Sequence, residues 1–189
     1  MLLPAGFMAK QVSRRPAWLA VPAVEAIYSV SHCISKAFCD YIPYWKHNGY
    51  WLFNDIPTLQ QMAAQAAVDR ESYKLFYYEV HDHQFDVDSK TWEPFQPAPA
   101  FETDVAVPHE KQLEGYDVVT FSSGTNPECS PLSCNSLAEH LPVNTHCLLA
   151  SFAEAKRLIE AGRFDGSEPG PYRIFAVFSC TAADVTPHA

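Results

Sequence analysis

The sequence predicts an α+β fold: a mixed β-sheet with helices packed on one face, built from two pseudo-repeated strand–loop–strand–helix–strand halves. Segments rich in β-branched and aromatic residues alternate with amphipathic, well-capped segments, and the same order of elements occurs twice. The chain has 189 residues, 48% of them hydrophobic, which is enough for one sizeable core. We therefore expect one domain with halves at 23–83 and 115–180, joined by a proline-rich connector at 84–114.

In the first half, strands are predicted at 24–31, 51–53 and 74–80, whereas proline-interrupted residues 1–22 are predicted to be irregular. A helix is predicted from about residue 55 to residue 68, because Asn54 or Asp55 can accept a hydrogen bond from a free amide of the first turn. The apolar residues of this helix recur at helical spacing and form one stripe: Ile56, Leu59, Met62, Ala63 and Ala66.

In the second half, strands are predicted at 116–121, 146–149 and 172–178. Pro131 suits the first turn of a short helix extending to about His140. Ser151 and Glu154 form a capping box that begins a second helix, and Gly162 can end it in a left-handed conformation. Part of the long connector between the halves is expected to pack, since long structureless loops are uncommon in compact domains.

The two halves are predicted to be copies of one unit. Four apolar positions of the second helix follow their counterparts in the first by 96 residues: Ile56 and Phe152, Leu59 and Ala155, Met62 and Leu158, Ala63 and Ile159. A Ser-x-x-x-Cys-[Asp/Asn] segment also occurs in each half, at 35–40 and at 130–135. Such periodicity is typical of repeats that bury their apolar faces against each other. Each strand–helix–strand portion is expected to be a crossover between parallel strands.

Composition limits the classes of partner. The net charge of −9, from 13 basic and 22 acidic residues, disfavours binding to nucleic acid. No apolar stretch approaches the ~20 residues that a membrane-spanning helix needs. The apolar run after Arg14 and Arg15 is too short for an export signal. We therefore expect a cytoplasmic protein with its six cysteines reduced, and a homo-oligomer is compatible with these features.

The favoured function is recognition of a small molecule or a protein partner where the halves meet. The two cysteine-bearing segments each follow a predicted strand, and polar loops of this kind gather at one end of a sheet. The predicted binding residues are Ser35, Cys39, Asp40, Ser130, Ser133 and Asn135.

Two other functions stay open. Cys134, or less readily Cys39, could act as a nucleophile near the amide end of a short helix. Its base would be a nearby histidine, with His146 favoured and His32, His47 and His140 as alternatives. Alternatively, a zinc ion or another divalent metal could bind His81 and His83, with Glu79 facing the same side of the strand. A four-thiolate zinc site is also conceivable, although its spacing fits poorly: Cys33, Cys39, Cys129 and Cys134.

Overall fold

A computed structural model describes residues 1–31, 34–38, 48–95, 98–99, 104–121 and 128–181 of the chain. None of the helices in these ranges has the length and apolar character that a bilayer-spanning helix requires. The strands are β1 (Leu2–Lys10), β2 (Ser13–Arg14), β3 (Ala26–Ile27), β4 (Lys74–His81), β5 (His83–Asp86), β6 (Thr91–Pro94), β7 (Gln112–Thr120) and β8 (Tyr172–Ser179). The α-helices are α1 (Ile56–Gln65), α2 (Pro131–Cys134) and α3 (Phe152–Glu160), with short 3-10 turns at Arg70–Ser72 and Leu137–Glu139.

The predicted α+β class is confirmed, but the expected mixed sheet is wrong. Six strands form an antiparallel sheet in the order β1-β4-β8-β5-β6, and β7 also pairs with β8. Strands β2 and β3 form a separate two-stranded ribbon. The predicted segments 51–53 and 146–149 contribute only isolated antiparallel bridges, from Phe53 to Phe7 and from Leu149 to Tyr116. The segments before and after α1 are the bridge at Phe53 and strand β4. Because β1 lies between them, they do not pair with each other as parallel strands.

The two longer helices lie against the same face of the sheet. Side chains of Ala9 and Leu75, which share one face of paired strands β1 and β4, line a cleft with Leu59 of α1. On the same face, the Phe152 ring of α3 lies 4.8 Å from the His81 ring. The side chains at the intervening strand positions point to the opposite side of the sheet, which we call the loop face. Its side chains include Lys10, Phe76, Asp117, Arg173 and Phe175.

Helix starts agree with the predicted caps. The Asp55 carboxylate accepts a hydrogen bond from the amide of Thr58 at 2.6 Å, and the Ser151 hydroxyl accepts one from the amide of Glu154 at 3.1 Å. The Glu154 carboxylate in turn accepts one from the amide of Ala150 at 3.4 Å. Helix α2 is shorter than predicted, because the backbone turns into the left-handed region at Ser136, whose φ is 58°.

Two predicted strand boundaries are wrong. Strand β1 falls in the stretch expected to be irregular, which lacks the β-branched residues that usually mark strands. The predicted strand at 24–31 is reduced to Ala26–Ile27, because the next backbone groups bind side chains instead of a neighbouring strand. The connector at 84–114 contains most of the β5–β6 hairpin and the start of β7, so part of it is packed, as expected.

Two loops of the same design precede α1 and α3. The Asn48 amide donates to the carbonyl of Ala5, and its oxygen accepts from the amides of residues 50 and 52. Asn144 makes the corresponding bonds to the carbonyl of Glu114 and the amides of residues 146 and 148. A Cβ added to Gly6 or Gly115 would lie 2.6 or 2.7 Å from these loops, and both glycines have positive φ. Each loop is thus tied to the outer edge of β1 or β7.

Candidate functional site

A buried ionic core joins the two halves on the loop face. The Lys10 ammonium, 1% exposed, donates to the carbonyls of Ser29, Val30 and Ser31 at 2.6–2.9 Å. The Asp117 carboxylate, from the second half, accepts from the amide of Val30 at 2.8 Å. Segment 29–31 is therefore held between a cation of β1 and an anion of β7. This arrangement explains why residues 28–31 do not continue the strand that begins at Ala26.

Asp117 is fully buried, and only one of its two carboxylate oxygens accepts hydrogen bonds from the described residues. Its Oδ2 also accepts a hydrogen bond from the Ser130 hydroxyl at 2.7 Å, but its Oδ1 has no hydrogen-bond partner in the part of the chain that the structure describes. Burial raises the pKa of this carboxyl to about 6, although both hydrogen bonds and the Lys10 charge oppose that shift. Burial likewise raises the pKa of the neighbouring Cys147 thiol to about 12, which disfavours its thiolate form.

Of the predicted binding residues that the structure describes, some lie at the buried ionic core and others bond elsewhere. Ser130 belongs to the core and accepts a long hydrogen bond, 3.4 Å, from the amide of Ser31 in the first half. Ser133 is buried and donates to the carbonyl of Ser130, whereas Asn135 donates to Glu168 and to the carbonyl of Ser167. Ser35 donates to the carbonyl of Ile27. Cys33, Cys39 and Asp40 lie outside the described residues, so the proposed four-thiolate site cannot be traced.

Cys134 and His146 are placed in different surroundings. Cys134 is the last residue of the four-residue helix α2, so its thiol lies at the carbonyl end of the helix rather than at the amide end. Its sulfur is 3.9 Å from the Ser31 hydroxyl and 4.0 Å from that of Ser133. The His146 Nδ1 atom instead lies 3.0 Å from Glu114 Oε2, and its ring stacks on Tyr28 at 3.9 Å. The helix-end argument for a Cys134 thiolate therefore does not apply.

Glu114 gathers several polar groups around His146. Its carboxylate is 6% exposed, bonds to the Ser179 hydroxyl, and lies 3.9 Å from the Lys74 ammonium. Lys74 also donates to the Tyr28 hydroxyl at 2.7 Å. The contact with Glu114 orients the imidazole of His146 in the manner of an acid–base residue. Lys74, at the start of β4, has its countercharge within the protein.

Arg173 of β8 has no carboxylate countercharge among the residues that the structure describes. Its side chain is fully buried, with the guanidinium carbon 4.2 Å from the centre of the Phe121 ring and in contact with Phe95. Its Nη2 donates to Gln84 at 2.8 Å, while Nε and Nη1 are buried without a hydrogen-bond partner among the described residues. Burial lowers the pKa of the guanidinium, and Tyr50 acts in the opposite direction. A buried cation with two unpaired hydrogen-bond donors destabilises the folded protein unless an acceptor group binds to it.

The predicted metal ligands are rearranged at the corner between β4 and β5. His81, Asp82 and His83 bring one ligand atom each within 4.8 Å of one another. Glu79 does not join them, because its carboxylate forms an ion pair with Lys111. Alternation along a regular strand would send Asp82 to the opposite side, but the chain bends at this residue and turns its carboxylate towards both imidazoles.

Searches of protein-family models, of curated proteins and of solved structures found no match to this chain. Functional inference therefore depends on the local chemistry of these clusters. The residues that sequence reasoning missed are Lys10, Asp117 and Arg173. Each is a charged residue inside an otherwise apolar, strand-forming run, and this pattern was the available signal.

Proposed function

We propose that this protein binds a small anionic ligand, bearing a carboxylate or phosphate group, through Arg173 on the loop face of the sheet. The observation that carries the proposal is a fully buried guanidinium whose Nε and Nη1 atoms have no hydrogen-bond partner among the described residues. Buried polar groups are almost always satisfied, so an unsatisfied one calls for a functional explanation. A guanidinium offers two parallel donors that match the oxygens of a carboxylate or phosphate.

The surroundings of Arg173 suit a ligand with a planar or apolar body. Phe95 and Phe121 flank the guanidinium, and the Tyr50 ring lies 6.2 Å from Phe95. These residues come from the first half, the connector and the second half. The site is thus a form of the recognition site expected between the halves, but it depends on Arg173 rather than on the serine- and cysteine-bearing segments. Aromatic walls exclude water and strengthen the attraction between the guanidinium and an anion.

We also infer that the two halves are copies of one ancestral unit. Support comes from the matching bonds of Asn48 and Asn144 and from the matching close approaches of Gly6 and Gly115. Tyr78 of β4 pairs directly with Val177 of β8, which places these two corresponding positions opposite each other, as a twofold relation between the halves requires.

The inferred duplication supplies an internal comparison for Arg173. Lys74 is the counterpart of Arg173, since both lie four residues before the paired positions Tyr78 and Val177. Lys74 lies 3.9 Å from Glu114. The residue corresponding to Glu114 is Ala5: each directly precedes a closely approached glycine, and the backbone carbonyl of each accepts a hydrogen bond from a loop asparagine. Within the described ranges Arg173 therefore has no counterpart of the carboxylate available to Lys74, and a bound anion would take that place.

Thermal unfolding with inorganic phosphate or acetate, at constant ionic strength, tests the proposal. We expect an anion to raise the unfolding midpoint of the natural protein but not that of Arg173→Met. At an anion concentration about 100 times Kd the stabilisation is about 2.7 kcal/mol, which corresponds to roughly 5–10 °C for a chain of this size. Arg163→Met is the matched control, because Arg163 is exposed and its guanidinium donates to the carbonyl of His140.

Two results would count against anion binding. One is an equal response of Arg173→Met and the natural protein, which would assign the effect to another cation. The other is the absence of any response to both anions in the natural protein together with a marked loss of stability in Arg173→Met. That combination would mean that the guanidinium serves only as a structural partner of the phenylalanine rings.

A further inference from the structure

Two imidazoles and a carboxylate meet at the corner where β4 passes into β5. The Nδ1 atom of His83 lies 2.9 Å from Asp82 Oδ1, and the Nε2 atom of His81 lies 3.3 Å from the same oxygen. Ligand atoms on a tetrahedral zinc ion, with bonds of about 2.0–2.1 Å, are separated by roughly 3.3 Å. The two separations from Asp82 Oδ1 are thus close to those of neighbouring ligands around one ion, while the ligand atoms of His81 and His83 lie within 4.8 Å of each other.

The orientation of His81 fits a metal ligand. Its Nδ1 atom lies 3.1 Å from the carbonyl oxygen of His83, so this nitrogen carries the proton and donates it. The lone pair is then on Nε2, the atom that faces Asp82. Metal-binding histidines commonly fix their tautomer by such a bond from the other ring nitrogen. Packing restrains the ring further, with Phe152 at 4.8 Å and Trp92 edge-on at 5.4 Å.

The Asp82 carboxylate already attracts positive charge in this structure. The amino group of Met1 donates to its Oδ1 atom at 2.7 Å, and Nδ1 of His83 lies 2.9 Å from the same oxygen.

We propose that His81, Asp82 and His83 form a binding site for a divalent transition-metal ion, with Zn²⁺ as its best match. Two imidazole nitrogens and one carboxylate oxygen suit Zn²⁺ better than Mg²⁺ or Ca²⁺, which prefer oxygen ligands throughout. Three protein ligands leave a coordination position for water or another molecule. This site lies on the side of the sheet that carries Phe152 of α3, so it is independent of the anion site at Arg173.

Metal titration of tag-free, chelator-treated protein tests this site. Calorimetry with Zn²⁺, and absorption spectroscopy with Co²⁺ as a visible substitute, should each give one ion per chain bound through nitrogen and oxygen ligands. Asp82→Asn and His83→Ala should each weaken binding at least about tenfold. Both positions are partly exposed, so these variants should remain folded. His109→Ala and His140→Ala remove exposed histidines elsewhere and should bind as the natural protein does.

Three outcomes would overturn the proposal. The first is less than one Zn²⁺ ion per chain. The second is affinity unchanged in both Asp82→Asn and His83→Ala. The third is a set of intense thiolate-to-cobalt charge-transfer bands in the near ultraviolet, which would assign the bound ion to cysteines.

Discussion

At the scale of single residues, the most consequential side chain is Asp117, because its hydrogen bonds stabilise the fold while its burial opposes ionisation. Its carboxylate anchors the amide of Val30 and the hydroxyl of Ser130, yet it is fully removed from water. The Lys10 ammonium compensates part of the charge but is itself saturated by three carbonyls. The net effect is a raised pKa, and a raised pKa of an acid means that ionisation opposes folding.

Stability should therefore depend on pH through Asp117. The pKa is about 6 in the folded protein against an ordinary value of 3.8. Below pH 4 the carboxyl is protonated in both states and contributes no penalty, while above pH 6 it is ionised in both. A difference of about two units corresponds to roughly 3 kcal/mol. Between pH 4 and pH 7, the natural protein should lose about this much free energy of unfolding relative to Asp117→Asn.

Urea unfolding of both proteins at several pH values measures this difference. Asp165→Asn is a suitable control because Asp165 is exposed and its carboxylate forms a surface ion pair with exposed Lys90. A free-energy difference between the natural protein and Asp117→Asn that stays constant from pH 4 to pH 7 would show that Asp117 ionises normally.

At the scale of elements, the two asparagine loops hold the outer strands to the helices. Asn144 makes three hydrogen bonds to the backbone. Its side-chain nitrogen donates to the carbonyl of Glu114, and its side-chain oxygen accepts from the amides of His146 and Leu148 in the loop. Asn144→Ala should lower the free energy of unfolding by about 3 kcal/mol, at about 1 kcal/mol for each lost bond.

Chemical denaturation of paired variants makes this prediction specific. Asn48→Ala removes the same three bonds in the first loop and should cost a similar amount. Gln65→Ala, at the exposed end of α1, should change stability by less than about 0.5 kcal/mol. If Asn144→Ala and Gln65→Ala behave alike, the loop is not held by its asparagine.

Local signals in the sequence account for part of this architecture. The caps at Asp55 and Ser151 and the strands near 74–80 and 172–178 are predictable, because each depends on short-range chemistry. The strand at the N-terminus and the antiparallel order of the sheet are not, because both depend on pairing between distant residues. The same limit applies to the sites. Strand alternation places Asp82 on the side away from the two histidines and hides the bend that turns its carboxylate towards them. Arg173 is not predictable, because its burial and its unpaired donors appear only in three dimensions.

At the scale of the whole molecule, the halves share one sheet, and each of its two apolar clusters contains residues of both halves. Residues 76–80 of β4 pair with residues 175–179 of β8, so the centre of the sheet is the boundary between the halves. One apolar cluster contains Tyr50 from the first half together with Phe121 and Phe175 from the second. The buried bonds of Lys10 and Asp117 to segment 29–31 add a polar link. These contacts, rather than the connector, should hold the halves together.

Cleaving the connector tests that conclusion. A protease recognition sequence inserted between Ala98 and Pro99, both exposed, allows the chain to be cut after folding. The two fragments should elute together in gel filtration and unfold in one cooperative transition, because neither half can bury the β4–β8 boundary alone. The uncut insertion variant controls for the insertion itself. Fragments that separate under native conditions would mean that each half has a self-sufficient core, and the anion site at Arg173 would then lose the first-half wall that Tyr50 provides.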